Sequence, residues 1–312
     1  MPWRFYMIKV DGITKRFGEL TAVDSISFEV ERGEIVGLLG PNGAGKTTTM
    51  RMITGYYAPE AGTIEIDGIN MADEPIAAKK RVGYLPENAP LYEEMTVEEY
   101  LNFIADVKGI PNRSAVLPGI LEGTGLTKVY NRFIWELSKG YHQRVGIAQT
   151  LLGDPDFLVM DEPTTGLDPN QIIEIRNLIR ELGKTKTIMI STHILQEAEA
   201  LSTKIMIIDK ARIVARGSKD ELKSILESKE TLYVTARRND AFFEGVKKIP
   251  GVLEMQRVSS GENTETYKIL SKGNISEAVF REAVNRNAVL SELRSEKVSL
   301  EDVFIQLTRK EN

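Results

Sequence analysis

The run Gly40-Pro41-Asn42-Gly43-Ala44-Gly45-Lys46-Thr47-Thr48 constrains the fold of this chain more than any other feature. It fits G-x-x-x-x-G-K-[ST], and its flanks are those that such a loop requires. Ahead of it, Glu34-Ile35-Val36-Gly37-Leu38-Leu39 reads as a buried strand; behind it, Thr48-Thr49-Met50-Arg51-Met52-Ile53 reads as the opening of a helix. The glycines let successive backbone N–H groups turn inward around a β-phosphate, and the helix N-terminus adds a dipole that favours anions. In this arrangement Lys46 bridges the β- and γ-phosphates and the Thr47 hydroxyl ligates Mg²⁺. Pro41 through Thr48 are therefore the expected phosphate cradle.

Around the loop, from Tyr6 to about Gly217, short β-branched runs alternate with helical stretches, as in an α/β domain on a largely parallel sheet. Ile35 to Leu39, Val82 to Leu85, Phe157 to Met160, Thr187 to Ser191 and Ile205 to Ile208 are nearly continuous apolar runs, the pattern of strands covered on both faces. Ile8 to Val10, Ala22 to Val30 and Gly62 to Asp67 read instead as antiparallel strands. The stretch from Asn88 to Gly153 is mostly helical, with Thr96-Val97-Glu98-Glu99 as a capping box, and reads as a helical insertion at about 88–153.

Ser218-Lys219-Asp220-Glu221 caps a helix that runs into the charged Glu227-Ser228-Lys229-Glu230, read as a linker. The expected division is thus 1–228 and 229–312. Beyond it the order is a strand at Thr231 to Ala236, a helix near Asp240 to Lys248, strands at Val252 to Val258 and Thr266 to Leu270, a helix capped by Asn274 and Glu277, and a strand at Ala288 to Leu293. That βαββαβ order predicts a small ferredoxin-like sandwich, closed by a helix capped by Ser299.

Composition narrows the function classes. With 312 residues, 42% apolar and 27% charged, the chain is long enough for two domains with proper cores. No apolar run approaches the roughly 18 residues needed to span a bilayer. The opening Met1-Pro2-Trp3-Arg4-Phe5-Tyr6 lacks the basic-then-apolar pattern of a secretory leader. A cytosolic chain without direct membrane insertion is expected. Zero cysteines exclude disulfides, thiolate metal sites and cysteine nucleophiles. A net charge of −5 with no strongly basic tract gives no support for nucleic acid as the main partner.

Downstream, Phe157-Leu158-Val159-Met160-Asp161-Glu162 is an apolar strand ending in two carboxylates, delivered to the sheet's carboxyl edge beside the glycine loop. Asp161 is placed to hold Mg²⁺, directly or through water, and Glu162 to orient or deprotonate an attacking water. An Asp-Glu pair at a strand end is by itself a common solvated turn; the preceding loop and the following Pro163-Thr164-Thr165-Gly166-Leu167-Asp168 weigh against that.

With these residues in hand, the chain resembles the ATPase subunits of ATP-binding cassette (ABC) transporters, over Tyr6 to about Gly217. Besides the loop and the acidic strand, Leu137-Ser138-Lys139-Gly140-Tyr141 is similar to the family's signature motif. Gly166-Leu167-Asp168 is similar to its D-loop, and Ser191-Thr192-His193 to its switch histidine. The resemblance implies a P-loop NTPase core with an antiparallel β subdomain and a helical insertion, followed by the small α+β domain. It implies ATP and Mg²⁺ as cofactors, with Lys46, Glu162 and His193 as catalytic residues. His193 would contact the γ-phosphate and hold Glu162 and the water; Phe17 would stack on adenine, unless it is an ordinary core phenylalanine.

Ser138 and Gly140 open a helix read over Tyr141 to Leu151, so a hydroxyl and free N–H groups face outward at a dipole-positive end. Ser138 is also expected to act as a plain helix cap. In the family these groups meet the γ-phosphate held by another subunit's loop. One loop and one signature per chain therefore imply a second nucleotide-binding subunit, most simply a second copy, joined head to tail. His142, directly after the signature, is given no chemistry.

Two departures qualify the resemblance. Lys139 and Tyr141 stand where the signature commonly has glycine and glutamine; the variant with lysine is familiar in drug, antibiotic and gliding-motility exporters, and Lys139 would add positive charge near the partner's ATP. Glu87 stands where a glutamine normally touches Mg²⁺, and its carboxylate favours a water-mediated contact.

The resemblance implies a motor subunit of an exporter. It would lie on the cytoplasmic side, peripheral to the inner face of the cell membrane, coupled through the insertion near Pro86 to Glu99 to an integral membrane permease. A soluble relative acting on ribosomes or DNA is the alternative, and a non-hydrolysing ATP-binding scaffold a third reading, disfavoured by Glu162 and His193. The carboxy-terminal domain reads as packing or dimer support in preference to ligand regulation.

Overall fold

In the computed structural model the protein is described over residues 6–224, 230–261, 263–296 and 299–308. Long β-branched stretches open the chain as β1 (Tyr6–Phe17) and β2 (Leu20–Glu31), antiparallel to each other, with buried and exposed positions alternating along β2. The all-apolar β3 (Ile35–Leu39) follows, then the glycine loop and α1 (Lys46–Ile53). Next come β4 (Ala61–Ile66), β5 (Ile69–Asn70), α2 (Pro75–Lys80) and β6 (Val82–Leu85). Two sheets result, an antiparallel one in the order β2-β1-β4-β5 and a six-stranded one in which β3 is an inner strand.

The insertion is helical, with α3 (Val97–Val107), α4 (Arg113–Thr124), two single-turn helices and α5 (Lys139–Leu151). Thr96 starts α3 through the expected capping box. Its hydroxyl accepts from Glu99 N–H at 3.2 Å, and the Glu99 carboxylate accepts from Thr96 N–H at 2.8 Å. Val97, Tyr100, Leu101, Leu121, Val145 and Ala148 lie in its core.

The chain then returns to the main sheet through β7 (Phe157–Asp161), α6 (Pro169–Gly183), β8 (Thr187–Thr192), α7 (Leu195–Leu201), β9 (Lys204–Asp209) and β10 (Arg212–Gly217). The order is β10-β9-β3-β8-β7-β6, parallel except for β10. One face packs with the antiparallel sheet and α1, around Phe28, Phe157, Val159 and Met189. The other packs with α6 and α7, around Met160, Ile175, Ile179 and Ile190. Phe28 and Phe157, at most 2% exposed, each contribute about 2–3 kcal/mol by leaving water. Parallel register aligns Leu39 with Thr192 and Asp161 with Ser191, so the ends of β3, β8 and β7 meet at one edge.

One compact unit ends at Gly217 and a second begins at Ser218. The division therefore lies before α8 (Lys219–Ser224), whereas the sequence placed it near residue 228. α8 is in contact with the closing helix α11 (Leu300–Thr308) of the second unit, and Ser218 and Glu221 cap it as expected. Of the charged linker, Glu227 to Lys229 lie outside the described residues.

In the second unit β11 (Glu230–Arg237), α9 (Asp240–Lys247), β12 (Val252–Ser260), β13 (Thr264–Ser271), α10 (Ser276–Asn285) and β14 (Leu290–Glu296) form an antiparallel sheet ordered β12-β13-β11-β14. This is the split βαβ arrangement of a ferredoxin-like fold. Val234, Phe242, Val246, Ile269 and Val279 belong to its core. The last strand starts at Leu290, later than the expected Ala288. Asn287 turns left-handed with φ 48°, and Ala288 N–H bonds back to Ala283 at 2.8 Å, so Ala288 completes the end of α10. Among the described residues no helix is long and apolar enough to cross a membrane.

Candidate active site

The glycine loop is held by close backbone approaches. At Gly45, φ is 107°, and a Cβ would sit 2.3 Å from the carbonyl oxygen of Ala22; at Gly40 it would sit 2.3 Å from that of Ile208. Only glycine fits either position. Lys46, 6% exposed, curls back over the loop, and its Nζ donates to the carbonyl oxygens of Gly40 at 2.9 Å and Pro41 at 3.1 Å. The hydroxyls of Thr47 and Thr48 make no hydrogen bond to the described residues, while Thr49 donates to Gly45 at 2.9 Å. Asn42 and Gly43 are exposed, and Ala44 is buried beneath them.

At the neighbouring edge Asp161 is fully buried. Its Oδ1 accepts from the Ser191 hydroxyl, while its Oδ2 is buried without a partner. An unpaired buried carboxylate oxygen is costly unless something else meets it. With the free hydroxyl of Thr47, Asp161 is a fitting hard-oxygen ligand set for Mg²⁺. Among the described residues there is no group of three or more acidic, imidazole or thiol side chains that could hold a metal ion.

Glu162 has φ 50°, a left-handed backbone unusual outside glycine. Ser191 holds it there, accepting Glu162 N–H at its hydroxyl at 3.0 Å and at its carbonyl at 3.2 Å. The Glu162 carboxylate is 7% exposed. Oε1 lies 3.5 Å from Lys46 Nζ, and Oε2 accepts from the Thr165 hydroxyl at 3.0 Å and from His193 Nδ1 at 2.8 Å. An ionised carboxylate only accepts, so the His193 hydrogen on this side is assigned to Nδ1 and Nε2 is left outward. Lys46, Asp161, Glu162 and His193, scattered over the sequence, thus stand at one sheet edge.

Ser138 is the N-cap residue of α5 by backbone geometry, but its side chain makes no capping bond; this corrects the expectation of a plain cap. Its carbonyl takes His142 N–H at 3.0 Å and lies 3.0 Å from His142 Nδ1. The exposed Ser138 hydroxyl is left available. Gly140 is buried against Gln171, where a Cβ would fall 2.9 Å from Cδ. Lys139 extends over its own chain's Gly166, where a Cβ would come within 2.1 Å of Nζ. Asp168 caps α6, accepting from Asn170 and Gln171 N–H at 3.0 Å each.

Phe17 is 44% exposed, so its reading as a core phenylalanine falls. Its ring meets Tyr57 edge-on at 5.4 Å, and Arg51 lies over Tyr56 and Tyr57 at 5.4 and 5.9 Å. Tyr57 escaped the sequence reading because no local motif ties it to Phe17. Glu87 is exposed just past β6, which β7 and β8 separate from β3, and no hydrogen bond or ion pair joins it to the residues above.

Residues 23–165 match the family model described as ABC transporter. The Nod factor export ATP-binding protein I of Ralstonia nicotianae is 42% identical over 223 residues, covering 69% of this chain and 68% of that protein. The linearmycin resistance ATP-binding protein LnrL of Bacillus subtilis is 32% identical over 306 residues, covering 97% and 98%. A solved ATP-binding subunit of an ABC transporter superposes with a TM-score of 0.64 at 34% identity, covering 70% of this chain and 93% of the other. The second unit is thus included in the likeness to LnrL.

Proposed function

Because the chain belongs to the ABC transporter ATPases, enzymes that couple ATP hydrolysis to transport, we propose that it is the motor subunit of an exporter. The meeting of Lys46, Glu162 and His193 carries this reading: one buried carboxylate lies 3.5 Å from the loop lysine and 2.8 Å from the switch histidine. That is a set of groups suited to the γ-phosphate and an attacking water. The words export and resistance in the names of the two relatives support export over import.

In this proposal Pro41 through Thr48 cradle the phosphates, and Lys46 moves from the Gly40 and Pro41 carbonyls onto the β- and γ-oxygens. Thr47 and Asp161 would hold Mg²⁺, which would supply positive charge to offset that of the phosphates. Glu162 orients or deprotonates the water, and His193 fixes Glu162 through Nδ1 while presenting Nε2 to the γ-phosphate. Phe17 stacks on adenine beside Tyr57. Glu87 would meet Mg²⁺ through water.

The free Ser138 hydroxyl and the start of α5 close on the triphosphate held by a second copy of the chain, so ATP joins two subunits and hydrolysis releases them. A separate integral membrane permease, reached through the segment from Pro86 to Glu99, would convert that closure into transport on the cytoplasmic side of the membrane. The purified full chain should hydrolyse ATP, its Lys46→Ala variant should not, and tagged chain should co-purify with a hydrophobic protein encoded by a neighbouring reading frame. Equal phosphate release by the two forms would sink the assignment.

A further inference from the structure

Glu197 on α7 is a buried acid that the proposed hydrolysis leaves unused. It is 2% exposed, on a helix whose apolar Leu195, Ala198 and Leu201 are buried as well. Its Oε2 accepts from the Thr192 hydroxyl at 2.9 Å. Its Oε1 accepts from the Thr164 hydroxyl and lies 3.7 Å from Nη2 of Arg176 on α6. Thr164 follows Glu162 by two residues, and Thr192 directly precedes His193. The Thr192 oxygen also accepts Ile194 N–H at 3.0 Å, fixing the turn on which His193 sits. A buried ionised carboxylate is strongly unfavourable without such partners, and α7 needs no charge to fill its core.

We infer that Glu197 is a positioning residue for the Glu162–His193 pair. By accepting from Thr164 and Thr192 together, it holds the two segments at the spacing that lets His193 Nδ1 reach Glu162. Through Arg176 it ties that spacing to α6, the helix that Asp168 caps. Only the ionised carboxylate accepts from both threonines and faces the guanidinium. An amide must turn N–H groups toward one of them. The inference rests on the proposed use of the pair in hydrolysis, but its geometric half is readable without turnover.

The test uses the full chain labelled at its two histidines, with His142→Gln assigning the ring signals by NMR. In Glu197→Gln and in Thr192→Val the His193 signals should shift while those of His142 stay, and Thr192→Ser, which keeps the hydroxyl, should restore the wild-type spectrum. In steady-state assays both disruptive variants should lose at least about tenfold in kcat with ATP affinity held within about twofold, and Glu197→Gln should cost little more once His193 is alanine. Unmoved His193 signals, or both histidines shifting together as general loosening would produce, would overturn the inference. If the wild-type chain releases no phosphate, the motor reading falls, and the NMR comparison still decides the role of Glu197.

Discussion

His193 Nδ1 stands 2.8 Å from Glu162 Oε2 although 31 residues separate them in the chain. The contact follows from strand register. Asp161 and Ser191 pair across β7 and β8, so the next residues leave the sheet side by side, and the Ser191 hydroxyl binds Asp161 while accepting Glu162 N–H. A carboxylate, an imidazole and a lysine are thereby gathered at one sheet edge, which in the proposed hydrolysis would lower the cost of ordering them.

Glu162→Gln keeps the shape of the side chain and a carbonyl for His193, but loses the basic oxygen. ATP binding should persist while turnover falls by about 10²- to 10⁴-fold, the usual worth of a general base. Size-exclusion chromatography should then show a dimer only when ATP is present. Undiminished phosphate release would remove Glu162 from the chemistry.

Ser138→Ala distinguishes a phosphate contact from a cap. A true N-cap serine is worth about 0.5–2 kcal/mol, but this hydroxyl caps nothing. The unfolding free energy of the variant should therefore stay within about 0.5 kcal/mol of wild type, with ATP turnover much reduced. A lower denaturant midpoint with normal turnover would reverse the assignment.

Phe17→Ala should weaken ATP and ADP alike by about fivefold, the equivalent of about 1 kcal/mol of ring stacking, and leave tripolyphosphate binding unchanged. Phe17→Tyr should restore the affinity. Calorimetry on the three ligands separates loss of the base contact from damage to the loop.

Tyr100 offers a pH signature in the helical insertion. Its ring is 2% exposed, and burial, aided by the nearby Tyr92, pushes its pKa up from 10.0 to about 12, while its hydroxyl donates to Gln149 of α5. The folded chain then holds this proton between pH 10 and about 12, where the unfolded chain has released it. Stability should therefore fall with rising pH across that window, by at most about 1.4 kcal/mol per unit. Tyr100→Phe should lack this component when urea midpoints of the two forms are compared.

The sequence was most readable where one motif fixes both chemistry and position. Lys46, Asp161 and His193 follow nearly continuous apolar runs, which already put them at the carboxyl edge. Legibility failed where partners are distant or backbone geometry decides. Ile8 to Val10 was only part of β1, because register shifts between Val10 and Lys15 break the alternation that marks a strand. Ser138 had the residue type of a cap but not the side-chain bond. Glu197 was invisible, since Thr164 and Arg176 lie far from it in the chain and nothing local distinguishes it from a solvated helix acid.

Glu162 keeps its left-handed backbone directly before Pro163, at a conformational cost of roughly 1–3 kcal/mol. A library screened for heat tolerance should accordingly enrich glycine or asparagine at that position and return hardy proteins that no longer consume fuel. If Glu162 serves the proposed hydrolysis, ruggedness and work compete for a single amino acid, and a campaign to toughen the protein should freeze residue 162 and search elsewhere.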